Sequence, residues 1–396
     1  MKPNRHRWKR AAEVLSLCSL VLFVAAFHIR GRKKWIRAPF VLRPKEYLAV
    51  SRQRAPATQV HLVGDTGPVQ RVRVEERVIL TGRNWPTQYP MYNIGPVILL
   101  PDGSLLVGLQ GEGRLLRFSI RGDLICEIGE GPGMAPGEIA HPFRARWDGT
   151  DSCIWVYSPA NGLLQQFTLE GGYLFSTAVP VPVHPVRDFL IDRKSSRVYF
   201  SYWDWENRST IHLYDFQGKH VRSFGRGPYV HEVGSANTER LAKHLGLWEN
   251  YAAGYLMVDS EKLWFARCNP YEIMVLDTLG HEEVTLFRAG GVVKAAGYLN
   301  MGGLSFVGPY TTQVTAFGFV DSLIAVWFVD EEPAGDGSRY RSTLDILTRD
   351  GLLLATRSWP ELRWVWSFGP GPRFVAARRA EDGDEILYCR FRLTED

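Results

Sequence analysis

An apolar stretch closed by a glycine turn recurs five times, and a chain built from such units has few ways to fold. The turns are Leu116-Arg117-Phe118-Ser119-Ile120-Arg121-Gly122, Gln166-Phe167-Thr168-Leu169-Glu170-Gly171, Tyr214-Asp215-Phe216-Gln217-Gly218, Leu276-Asp277-Thr278-Leu279-Gly280 and Leu347-Thr348-Arg349-Asp350-Gly351. Upstream of each lies a second strand pattern, such as Ile154-Trp155-Val156-Tyr157 or Ile324-Ala325-Val326-Trp327-Phe328. One more follows each glycine, as in Leu124-Ile125-Cys126-Glu127-Ile128. Each unit reads as a four-stranded antiparallel blade, and five run from about Pro96 to Arg357. A sixth runs from Arg363 to Phe391 and ends one strand short. The alternating segment Val72–Leu80 can supply that strand, pairing the two ends of the chain and removing the open sheet edges. The expected fold class is all-β, a six-bladed β-propeller over residues 71–396. Seven blades or a two-sheet sandwich are the alternatives.

Composition agrees. Aromatics at 12% favour strands, and 38 Gly with 23 Pro supply the turns, which suits an all-β chain better than a helical one. The charge is unevenly placed. Ten Lys and Arg in the first 37 residues stand against Glu13 alone, a local +9 in a chain of +5, so residues 38–396 carry −4. The basic balance therefore belongs to the N-terminus, and no nucleic-acid partner is expected for the body.

Between two basic clusters runs Ala11–Ile29, AAEVLSLCSLVLFVAAFHI. At about 1.5 Å per residue it spans roughly a hydrocarbon core of about 30 Å. We read residues 1–10 as a basic tail, 11–29 as an uncleaved signal anchor or transmembrane helix, and 30–70 as a basic juxtamembrane linker. A cleaved signal peptide, a lipoprotein signal at Cys18 and a buried globular helix are the competing readings. The positive flanks balance, so the expectation of an exported, periplasmic or extracellular body rests on how short N-terminal anchors usually behave. Cys126, Cys153, Cys268 and Cys389 are far apart with no CxxC, and four separate buried thiols are expected rather than disulfides or a metal cluster.

Ile128-Gly129-Glu130-Gly131-Pro132-Gly133-Met134-Ala135-Pro136-Gly137-Glu138-Ile139-Ala140-His141-Pro142, then Trp155–Asn161 and Gln166–Gly171, resembles one NHL-type repeat. The shared features are the Gly-Pro-Gly loop, the proline opening the next blade, the Asn-containing hairpin and the closing glycine turn. Ser223-Phe224-Gly225-Arg226-Gly227-Pro228 repeats a fragment, and the other blades are degenerate. The resemblance implies a six-bladed propeller in a family that spans ligand binders, scaffolds, lyases and lactonases. The Glu, Asn and Asp channel set that holds a divalent metal in the lactonase-like members has no counterpart here. Of the histidines used by the lyase-like members, only His141 and His184 have counterparts.

In a four-stranded blade the loops joining strands two and three share a face with the blade-to-blade connections. The long segments 129–142, 225–254 and 288–312, with the hairpins Trp203–Asn207 and Glu331–Tyr340, all fall on that face, as on a binding surface. Asn237–Trp248 reads as a short helix within it. Tyr202-Trp203-Asp204-Trp205-Glu206 interleaves rings and acids, either as a sugar-contacting surface or as plain strand alternation.

At the entrances to blades two and three, His141-Pro142-Phe143-Arg144 and His184-Pro185-Val186-Arg187 repeat one constellation. Proline fixes the entry geometry, so His141, Arg144, His184 and Arg187 are the candidate ligand-binding residues of a central funnel. They suit an anion; with His231 the histidines suit a metal; or they merely cap and pair structurally. No nucleophile, HExxH or carboxylate pair marks a reaction, no catalytic residue is assigned, and no cofactor is expected. The function read from the sequence is a membrane-tethered propeller that binds a protein or small anionic ligand. A lyase or hydrolase acting through His141 and His184 is the alternative.

Overall fold

The computed structural model describes residues 41–42 and 59–63, then 70–226 and 253–394 apart from short internal stretches. The N-terminal segment 11–29, the helix expected at 237–248, His184 and His231 lie outside the described residues. Among those described, no helix is long and apolar enough to cross a membrane.

Six four-stranded antiparallel sheets follow one another along the chain, and in each the first strand given is the innermost. Blade one is Ile94–Leu99, Leu105–Leu109, Arg114–Phe118 and Leu124–Ile128. Blade two is Arg144–Asp148, Cys153–Ser158, Leu163–Thr168 and Tyr173–Ala178. Blade three is Asp188–Asp192, Arg197–Asp204, Ser209–Asp215 and His220–Arg226. Blade four is Gly254–Asp259, Lys262–Arg267, Glu272–Leu276 and Glu282–Arg288. Blade five is Thr312–Val320, Leu323–Ala334, Gly337–Leu347 and Leu353–Trp359. Blade six is Leu362–Gly369, Arg373–Ala380 and Gly383–Thr394, and its outermost strand is Arg71–Leu80, antiparallel to Gly383–Thr394 with Val74 opposite Phe391. The six innermost strands neighbour one another around the ring, blade six meeting blade one.

The core lies between blades. One buried cluster joins Leu106, Leu115 and Ile128 of blade one to Ile154, Val156 and Phe167 of blade two. Equivalent clusters fill the other five junctions, including Ile79, Val375 and Ile386 of blade six against Val97 and Val107 of blade one. Because both faces of an inner strand are covered, the strands read as continuous apolar runs; Cys153–Ser158 is buried at every position. The same burial explains Tyr202 and Trp203, which are both in the core, so that pair is strand packing on two covered faces and not a sugar-contacting surface.

All five recurrent glycines have positive φ, from 78° at Gly218 to 97° at Gly171, which an L side chain adopts only at a cost. Three residues before each stands Ser119, Thr168, Asp215, Asp277 or Thr348. That side chain's oxygen accepts backbone N–H groups within the turn, as Asp215 Oδ1 does from Gln217 and Lys219 at 3.0 and 2.8 Å. Ser119, Thr168, Asp277 and Thr348 make matching bonds. Each turn also packs against the fourth strand of the preceding blade. A Cβ on Gly122, Gly171, Gly218, Gly280 or Gly351 would meet Ile79, Glu127, Ala178, Phe224 or Leu286, respectively.

One segment differs from the reading of the sequence. Gln59–Val63, within the segment read as linker, pairs in parallel with Glu282–Arg288 as a fifth strand of blade four, and Val63 is fully buried. The hairpin expected at Glu331–Tyr340 is present as a regular ladder, with Glu331 opposite Tyr340 and Ala334 opposite Gly337. All four body cysteines are free thiols.

His212 of blade three is fully buried. Its Nδ1 meets Ser223 Oγ at 2.8 Å, its Nε2 meets the Tyr202 carbonyl at 3.1 Å, and its ring stacks on Tyr202. Burial pushes its pKa down to about 4. Unfolded, the same imidazole titrates near 6.5, so as pH falls through that window the unfolded chain takes up a proton that the native one refuses. Stability carried by His212 is thus complete above about pH 6.5 and is lost by about pH 4, amounting to about 3 kcal/mol. Urea unfolding of the wild type compared with His212→Gln across this range should show that slope only in the wild type; parallel profiles would contradict it.

Candidate binding site in the central channel

The innermost strands enclose a cavity of about 1190 Å³ to which all six blades contribute. The chain enters each innermost strand from the blade-to-blade connection, so residues at the start of these strands lie near the long-loop face and residues at their ends near the short-turn face.

Arg144 opens the innermost strand of blade two and Arg187 immediately precedes that of blade three; both line the cavity. Arg144 Nε donates to the Arg187 carbonyl at 3.1 Å and Nη1 to the Phe143 carbonyl at 3.1 Å. Arg187 Nη2 donates to the Tyr255 hydroxyl of blade four, and its guanidinium carbon lies 5.0 Å from the Tyr255 ring centre. Among the described residues, neither arginine has a carboxylate within ion-pair distance. Burial, and then the charge of Arg187, push the Arg144 guanidinium below the usual arginine value. Burial raises the Tyr255 phenol to about 12 against the opposing pull of Arg187, so it remains a neutral donor and acceptor.

A third cation, Arg146, stands two residues along the strand from Arg144, and successive alternate residues share one face. Its Nη2 donates to the Leu256 carbonyl and lies 3.4 Å from Asp188 Oδ2, which also accepts the Leu256 N–H at 2.8 Å. Arg146 Nη1 and Arg187 Nε are buried without a hydrogen-bond partner among the described residues. Asp148, the other lining carboxylate, is engaged by Arg193 Nε at 3.0 Å. Three guanidiniums therefore face the channel against Asp188.

His141 takes no part in this lining. It is exposed, three residues before the strand begins, with Nδ1 3.1 Å from Gln110 Oε1. Gln110 also accepts the Phe143 N–H at 2.9 Å and donates to its carbonyl at 3.0 Å, while Gln165 binds Gly137 N and the Glu138 carbonyl. These two amides, with Arg114 on the Gly129 and Glu130 carbonyls, pin the connection 129–142 in place. Arg146, Asp188 and Tyr255 were not singled out from the sequence; the alternation from Arg144 to Arg146 was the one local signal available.

Asp148, Asp151 and Cys153 converge as metal ligands would, at the short turn of blade two. The cation among them is Arg193, 3.0 Å from Asp148, 2.6 Å from Asp151 and 3.8 Å from the Cys153 sulfur.

No family model and no curated protein matches the chain. Among solved structures it is similar to a protein of Bacteroides fragilis NCTC 9343 described as a candidate exported protein. The TM-score is 0.54 at 11% identity, over 85% of this chain and 99% of that one. A DUF4221-family member from Bacteroides vulgatus gives 0.49 at 10% identity over 83% and 100%, and virginiamycin B lyase from Staphylococcus aureus 0.43 at 11% over 81% and 99%. At such identity a likeness shows the fold alone. The chain is an all-β, six-bladed propeller.

Proposed function

We propose that this chain is a membrane-tethered, exported binding propeller whose central channel takes an anionic group. The observation that carries the reading is the crowding of Arg144, Arg146 and Arg187 in one cavity, where among the described residues two of their nitrogens are buried and unpartnered and Asp188 is the lining carboxylate beside them. A bound anion would supply the missing acceptors and relieve the like-charge contact between blades two and three. The long-loop face, segments 129–142, 225–254 and 288–312, is the entrance and partner surface. His141 stands at the rim of this entrance. Residues 11–29 are the tether, and pairing of Arg71–Leu80 with the C-terminal strand closes the ring of an NHL-like propeller.

Isothermal titration of sulfate into the full-length protein tests the channel. Saturable binding is expected, weakened at least tenfold in Arg187→Met and in Arg144→Met, with near-ultraviolet circular dichroism reporting that each variant is folded. Absence of saturable binding, or equal binding by the folded variants, would remove the reading. A reporter fused after Asp396 tests the exported side.

A further inference from the structure

The two ends of the channel differ in chemistry. Arg144, Arg187 and Tyr255 lie where the innermost strands begin; the partly buried Ile98, Phe319 and Phe368 lie toward where theirs end, and all line the same cavity. Arg144 and Asp148 bound one strand and stand four residues apart, about 13 Å at roughly 3.3 Å per residue. The acid at the far end, Asp148, is paired with Arg193, which it shares with Asp151. The partly buried Met257 and Trp366 line the cavity as well, so that among the described residues apolar surface adjoins the cationic cluster without an intervening carboxylate other than Asp188.

A small inorganic anion would occupy the arginine end and leave the apolar end wetted. A ligand with both parts would satisfy the guanidiniums and displace that water. Resting on the anion reading above, we infer that the ligand is an amphiphilic organic anion. Its carboxylate, sulfonate or phosphate head sits between Arg144 and Arg187, and its apolar body runs toward Ile98, Phe319 and Phe368.

The test is a ladder of n-alkanesulfonates, from methane- to hexanesulfonate, titrated into the full-length protein, with protein-free detergent as the blank and 1-hexanol as the neutral comparison. The head is constant along the ladder and stays ionised. A buried methylene contributes about 0.8 kcal/mol, so affinity should rise about three- to fourfold per added carbon. Hexanol should bind at least tenfold more weakly than hexanesulfonate. Arg187→Met and Arg144→Met should weaken every sulfonate, and Phe368→Ser should flatten the chain-length dependence. Methane- and hexanesulfonate binding equally, both dependent on Arg187, would overturn the amphiphile and leave the anion reading standing. Hexanol matching hexanesulfonate, or no binding by any sulfonate, would overturn both.

Discussion

Gly218→Ala is expected to cost about 3 kcal/mol or more, an outsized loss for adding one methyl group at a surface turn. Two terms combine. The residue sits at φ 78°, where an L side chain pays about 1–2 kcal/mol. The added Cβ would then lie 1.9 Å from the Ala178 carbonyl oxygen in the outermost strand of blade two, and backbone cannot step aside as a side-chain tip would. Forcing the blades apart adds a further 1–3 kcal/mol. Gly371 is the control: its φ is +71°, but the nearest atom to a new Cβ is Arg373 Nε at 3.9 Å, so Gly371→Ala should lose only about 1 kcal/mol. Urea unfolding of both variants decides the matter. Equal losses would mean that the recurrent glycine serves the turn alone and not the blade-to-blade contact.

The second large effect is expected at Glu272. Its side chain and that of Arg267 are both fully buried in blade four and meet at 2.7 Å. Arg226 of blade three contacts Glu272 too, reaches Glu282 at 3.0 Å, and offers its carbonyl to Arg267 Nη2 at 2.7 Å. Burial alone would raise the Glu272 carboxyl, yet the charges of Arg226 and Arg267 hold it below the usual glutamate value. Its contribution is therefore present above the unfolded glutamate pKa and is lost as pH falls through the lower folded one. Glu272→Ala strands a buried guanidinium and should cost about 3–5 kcal/mol. Replacing both partners, as Arg267→Met with Glu272→Leu, should recover most of that loss, because the penalty comes from the unpaired charge rather than from a missing contact. A double variant as unstable as Glu272→Ala would show that the network contributes net stability in its own right.

The blade count was legible because the glycine turn does two jobs at once, so the turn pattern persists even where the spacing between turns varies. A further regularity in the same residues passed unread: Ser119, Thr168, Asp215, Asp277 and Thr348 stand three before each glycine as the turn's internal acceptors. The channel was half legible. Arg144 and Arg187 follow prolines at equivalent blade entrances, so their placement could be read from the repeat. His141 shares that motif but stops on the rim, since the motif covers four residues and only its last reaches the innermost strand of blade two. Asp188 directly follows Arg187 and was within reach of the same repeat, whereas Tyr255 comes from blade four, and its convergence depends on how deep each strand sits, which no local pattern records. The fifth strand of blade four was missed for a related reason: Gln59–Val63 is short, and its partner lies more than two hundred residues away.

Diffraction from crystals of the full-length protein grown with selenate would test the anion site most directly, since selenium is located by its own anomalous signal. A peak within hydrogen-bonding distance of the Arg144 and Arg187 guanidiniums, lost in Arg187→Met, is the predicted result. Selenium found only outside the channel, at concentrations that occupy those outer sites fully, would contradict the account.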